Sequence, residues 1–159
     1  FITDIEIDWI HFGDGSEEIE IKKYAESQLQ GKSNIEYTFK GFVSNNKVHE
    51  YYSEHFVDFL INCSTTEGIP VSMMEAMSFG IPVIGTNVGG VSEIIEHEKN
   101  GLLLSPTPSK EEVAAAIERF CSLSLDEVQT MRANAYTTWN TKFNAQKNYK
   151  AFIEQICNL

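Results

Sequence analysis

Glu67 to Ile95, EGIPVSMMEAMSFGIPVIGTNVGGVSEII, carries two glutamates, Glu67 and Glu75, eight positions apart. A Gly68-Ile69-Pro70 turn follows the first, and a helical pattern beginning near Val71 holds the second. The short apolar run from Pro82 to Gly85 predicts a strand that breaks at Thr86-Asn87-Val88-Gly89-Gly90 into another helix. Two consecutive strand-loop-helix junctions are thus predicted. In a parallel α/β sheet such junctions gather at the carboxyl ends of the strands, where N–H groups at helix starts face outward and attract phosphate. The stretch reads as a ligand site.

Outward from it, the same alternation continues in both directions. Ile5 to Phe12 predicts a strand that breaks at Gly13-Asp14-Gly15-Ser16, with Ser16 starting a helix that runs to Gly31. Asn34 to Gly41 is a second strand, followed by Phe42 and Val43 and a Ser44-Asn45-Asn46 cap before a helix over 48–54. Val57 to Cys63, VDFLINC, is apolar enough to be a strand buried on both faces. After the central stretch, Asn100-Gly101 turns into a short Leu102–Leu104 strand. Ser109 with Glu112, and Ser124 with Glu127, have capping-box spacing ahead of two helices. Val113, Ala116, Ile117 and Phe120 form the buried stripe of the first, and Val128, Met131 and Ala135 lie on the second. Tyr149, Phe152, Ile153 and Ile156 mark a last helical tail. Strands alternating with helices predict a Rossmann-like, doubly wound parallel α/β sheet with a helical tail.

A chain of 159 residues with 42% hydrophobic content suits one domain. Its formal charge of −11 excludes a nucleic-acid binder, because phosphate backbones are held by Lys and Arg clusters that are missing here. A phosphate ligand must then rely on backbone N–H groups or on cations outside this sequence. Cys63, Cys121 and Cys157 follow neither a disulfide framework nor a zinc spacing, which fits a reducing cytoplasm. No run approaches the roughly 18 apolar residues of a membrane span. The chain opens on Phe1 almost directly into a strand pattern, as an excised piece of a longer protein would. His11, His49, His55 and His97 are scattered, no paired aspartates stand ready for a metal diphosphate, and no GxSxG frame surrounds Ser64, Ser72 or Ser78.

Taken together, Gly13-Asp14-Gly15, Phe39-Lys40-Gly41, Ser64-Thr65-Thr66-Glu67-Gly68, Glu75-Ala76, Gly80-Ile81-Pro82-Val83, Gly89-Gly90, Glu93-Ile94-Ile95 and Asn100-Gly101-Leu102-Leu103 resemble one family pattern over nearly the whole chain. It is that of the C-terminal, donor-binding domain of retaining glycosyltransferases with the GT-B fold, the glycosyl transferases group 1. The resemblance implies residues 1–159 as a nucleotide-sugar donor-binding domain truncated at its N-terminus, with the N-terminal acceptor domain absent. It implies a nucleotide-diphosphate sugar as donor and a glycan or lipid-linked acceptor, as in surface polysaccharide or lipopolysaccharide synthesis. Transfer would be metal-independent, without a cofactor. The workplace would be the cytoplasm, at the inner face of a membrane that the other domain contacts.

The same resemblance assigns roles. Glu75 would accept hydrogen bonds from the ribose, and Glu67, as the catalytic carboxylate, would act at the donor sugar with the N–H groups of Gly68 and Ile69. Ser72 reads either as a phosphate ligand at a helix start or as a capping serine. Gly89 and Gly90 would form an anion-binding nest, and Gly13 and Gly15 would face the diphosphate, although an ordinary turn looks the same. Phe42 and Val43 would lie by the nucleobase or in the core. The Arg and Lys that neutralise the diphosphate in relatives lie before the first residue here, so residues 1–159 alone are expected to bind nucleotide weakly and transfer nothing. A nucleotide-sugar epimerase of the same fold and a non-catalytic binding module are the competing readings. A dehydrogenase is disfavoured because Gly13-Asp14-Gly15 does not continue to a third glycine.

Overall fold

The computed structural model describes residues 2–157. The chain divides into two compact units, Phe1–His55 and Phe56–Leu159. Each unit is parallel α/β, so the predicted class holds, while the strands are shared between two sheets.

The first unit runs β1 (Ile7–His11), α1 (Glu18–Leu29), β2 (Ile35–Phe39) and α2 (Asn45–Glu54). β1 and β2 pair in parallel from Ile7 with Ile35 to His11 with Phe39. Asn34 ties the chain before β1 down, its side-chain amide donating to the carbonyls of Ile2 and Ile5. Aromatic edges rather than aliphatic burial join the strands. Phe39 meets Trp9 at 5.3 Å and His11 at 5.2 Å between ring centroids. Ala25 is the one hydrophobic residue of this unit that is buried among those described. Two helix starts differ from the sequence reading. α1 begins at Glu18 with Glu17, not Ser16, at the cap position, and α2 begins three residues earlier than expected, at Asn45 behind Ser44.

The second unit holds the core. β3 (Leu60–Asn62), β4 (Val83–Thr86) and β5 (Gly101–Leu104) form a parallel sheet in that order. α3 (Val71–Ser78) and α4 (Val91–Ile94) fill the first two crossovers. α5 (Lys110–Cys121), α6 (Leu125–Thr138), a π-helical turn (Trp139–Phe143) and α7 (Ala145–Cys157) follow. Central β4 is buried at all four positions. Met73, Ala76 and Met77 of α3 and Val91 and Ile94 of α4 are fully or almost fully buried, and Leu102, Leu104, Phe120 and Met131 pack with Ile84. At Gly85 a Cβ would stand 2.5 Å from Met73 Cε, so a larger residue there would push the Met73 side chain aside.

β3 corrects an expectation. It spans Leu60–Asn62 rather than 57–63, and it is half-buried rather than buried on both faces. Its ladder runs to β4, and the carbonyl of Val57 accepts instead from Arg132 Nη1 on α6 at 2.6 Å. A side chain far along the chain thus engages the Val57 carbonyl. The capping boxes also divide. Ser124 and Glu127 form the full reciprocal box at the start of α6. At α5, Ser109 accepts from the Glu112 N–H, but the Glu112 carboxylate turns back to the Ser105 N–H and hydroxyl, at 2.6 and 2.7 Å.

Candidate functional site

β3 ends on Asn62, and the loop that follows delivers Glu67. Asn62 Oδ1 accepts the Ser64 N–H at 2.8 Å, and Asn62 Nδ2 donates to Glu67 Oε1 at 2.9 Å. From the neighbouring end of β4, the buried Thr86 hydroxyl donates to the Ser64 carbonyl. The Glu67 carboxyl is held below the usual glutamate range, first by the Ser64 side chain and then by Asn62, with burial opposing weakly. An ionised, oriented carboxylate results, and it remains half-buried rather than enclosed.

The second junction closes on the first. The Gly90 N–H donates to the Gly68 carbonyl at 2.7 Å. A Cβ on Gly90 would fall 2.7 Å from Ile69 Cγ1, so Gly90 lies against both Gly68 and Ile69. The glycine pair is therefore required by contact between two loops. It does not leave the Gly90 N–H open as part of an anion nest. Around Gly68, by contrast, a side chain would meet nothing within 4 Å, and that space is available to a ligand.

α3 begins at Val71, as expected, with Pro70 at its cap position. Ser72 therefore lies inside the first turn and is not the capping residue; its exposed position sits among the N–H groups that a helix leaves without intrahelical partners. Glu75 follows one turn further on and is half-buried. Glu67, Gly68, Ile69, Gly89 and Gly90 are thus in mutual contact, with Ser72 and Glu75 on the helix that leaves the same loop. Ile69 and Val71 stay exposed on either side of Pro70, an apolar border to this polar surface.

In the first unit, the loop after β1 borders a cavity of about 220 Å³ lined by His11, Gly13, Gly15, Ser16, Glu18 and Phe39. Gly13 and Gly15 both have positive φ, 144° and 147°. The Gly13 N–H is committed to the Gly41 carbonyl at 2.9 Å. Asp14 and Glu17 add to the acidic character of the cavity, so a diphosphate placed there would need positive charge from elsewhere. Val43 is half-buried, while Phe42, at 76% exposure, stands out of any core. Sequence reasoning missed Asn62 and Thr86. The available signal was a lone amide after the apolar Phe59-Leu60-Ile61 of VDFLINC.

Cys63, Cys121 and Cys157 are free thiols. Among the described residues, no helix is long and apolar enough to cross a membrane, and no three His, Cys, Asp or Glu side chains cluster to hold a metal ion.

The family model of the glycosyl transferases group 1 matches residues 4–138. The amylovoran biosynthesis glycosyltransferase AmsK of Erwinia amylovora is 31% identical over 118 residues, 72% of this chain and 28% of its own length. The putative teichuronic acid biosynthesis glycosyltransferase TuaC of Bacillus subtilis is 33% identical over 131 residues, 82% of this chain and 32% of its own. The chain thus spans about a third of the curated relatives that it matches. Among solved structures, Anabaena HepE in complex with UDP and glucose superposes with a TM-score of 0.71 at 24% identity, covering 94% of this chain and 40% of that one. Sucrose-phosphate synthase from Thermosynechococcus elongatus gives 0.70 at 22% identity, covering 97% and 39%. At these identities the structural likeness carries the fold alone. The family-model match extends over most of the sequence, and on that ground the chain belongs to the glycosyl transferases group 1 family.

Proposed function

We propose that residues 1–159 are the nucleotide-sugar donor-binding domain of a retaining hexosyltransferase whose acceptor-binding part lies outside them. The observation that carries this reading is the contact of the Glu67 loop with Gly89 and Gly90, next to the start of α3. It sets an oriented carboxylate, an open space over Gly68 and a helix N-terminus side by side, which suits a sugar linked to a diphosphate. In this reading Ser72 and the first-turn N–H groups of α3 meet phosphate, Glu75 accepts from the ribose hydroxyls, and Glu67 with the Gly68 and Ile69 N–H groups holds the sugar. In the first unit, Gly13, Gly15 and Val43 are read as further donor-binding residues. Leaving diphosphate is stabilised electrostatically while the acceptor hydroxyl attacks the anomeric carbon from the same face. No metal ion or cofactor takes part.

The acceptor is a glycan or lipid-linked glycan of a surface polysaccharide, a reading supported by the names of AmsK and TuaC. The protein works in the cytoplasm, and its membrane contact is peripheral. Calorimetric titration of the chain and of Glu75→Ala with UDP, GDP and ADP, with and without magnesium, tests the donor role. The expected result is binding of one nucleotide, indifferent to magnesium and weakened in the variant, with no sugar transfer by these residues alone. Equal binding by Glu75→Ala would remove the ribose role and favour a non-catalytic module.

A further inference from the structure

We infer that Asn62 is a positioning residue for Glu67, fixing the carboxylate toward the donor sugar through a side-chain relay that begins on β4. This rests on the donor-site reading of Glu67 given above. The relay has a defined direction. Thr86 donates to the Ser64 carbonyl, the Ser64 N–H donates to Asn62 Oδ1, and Asn62 Nδ2 donates to Glu67 Oε1. A backbone N–H can only donate, so the Ser64 contact identifies the facing Asn62 atom as oxygen and leaves nitrogen toward Glu67. An amide held in this way has a single orientation.

The two bonds of Asn62 do different work. The bond to Ser64 shapes the turn after β3, as any acceptor in that position would. The bond to Glu67 closes no further backbone; it takes one carboxylate oxygen out of free rotation, beside the open space over Gly68. Orienting a charged acceptor before substrate arrives is how a second residue raises the selectivity of the first. In this inference Asn62 acts on the donor sugar through Glu67. The proton affinity of Glu67 is lowered first by the Ser64 side chain and second by Asn62, which agrees with a donor at this distance.

Two variants separate positioning from turn structure. Asn62→Asp keeps an oxygen for the Ser64 N–H but puts a carboxylate where the donor to Glu67 was, and Asn62→Leu removes both bonds. The carboxyl of Glu67, assigned with Glu67→Gln, is followed by carbon NMR across its titration, and UDP and UDP-glucose are titrated against each protein. In both Asn62 variants the Glu67 titration is expected to move up, further for Asn62→Asp. UDP-glucose affinity should fall about tenfold, as for a lost charge-assisted hydrogen bond, while UDP affinity stays unchanged. Glu67→Gln should show the same split between the two ligands. An unmoved Glu67 titration in Asn62→Asp overturns the inference, as does full UDP-glucose affinity in that variant when Glu67→Gln has lost it. If Glu67→Gln itself retains UDP-glucose, the donor role of Glu67 falls, and the carboxyl titration alone decides whether Asn62 holds it.

Discussion

A Cβ placed on Gly89 would stand 1.8 Å from the carbonyl oxygen of Glu67, and Gly89 has a left-handed φ of 53°. The two loops of the candidate site therefore meet backbone to backbone, with no room for a side chain between them. Gly89→Ala is expected to destabilise the protein by about 2–4 kcal/mol, since strain at φ and a backbone clash add. Urea unfolding reads the loss. Under the donor-site proposal, binding of the nucleotide sugar should weaken beyond what stability explains, because Glu67 is carried on the displaced loop.

Asn100 is buried and fully engaged. Its Nδ2 donates to the Ile94 carbonyl and the Thr138 hydroxyl, both at 3.0 Å, and its Oδ1 accepts the Glu96 N–H at 2.9 Å. It connects the end of α4 to the end of α6. Asn100→Ala strands several buried polar groups and should cost about 2–4 kcal/mol in urea unfolding, whereas Thr138→Val, losing one neutral bond, should cost about 1 kcal/mol.

The Ser124–Glu127 box gives a prediction in pH. Glu127 is held below the ordinary glutamate value of about 4.3, chiefly by the Ser124 N–H and then by the Ser124 hydroxyl. With the folded-state value depressed, the unfolded chain binds more protons in this window, so stability rises with pH through it. The contribution is present above the unfolded value and is lost as pH falls through the folded one. Glu127→Gln should flatten that part of the acid limb when urea midpoints are compared from about pH 3 to pH 6. Ser124→Ala should cost about 1 kcal/mol at neutral pH through the lost cap.

These residues also show which parts of the molecule could be read from the chain. The Ser124 box and the apolar run over 82–85 are local patterns; the box forms as expected, and the run's strand spans Val83–Thr86. Glu112 has the same spacing from Ser109, yet the N–H and hydroxyl of Ser105, seven positions earlier, capture its carboxylate. Val57, expected at the start of β3, lies outside the strand, and its carbonyl accepts from Arg132, 75 positions away. Motif spacing identified Glu67 and Gly89-Gly90 separately. Their direct contact, and the resulting use of the Gly90 N–H, arose from packing that no spacing encodes.

α7 lies at the other extreme of packing. None of its residues is buried, and Tyr149, Phe152, Ile153 and Ile156 are between 53% and 69% exposed although they share one helical face. A helix of 13 residues without tertiary support is marginal in water. Truncation after Asn144 should therefore change the urea-unfolding free energy of the remaining chain by no more than about 0.5 kcal/mol, as for other surface changes. It should also raise solubility by removing an apolar stripe. Amide hydrogen exchange in the intact chain should be fast along α7 and slow in β4, where burial is complete. Slow exchange in α7, or a large loss of stability on truncation, would show that its apolar face is covered in solution.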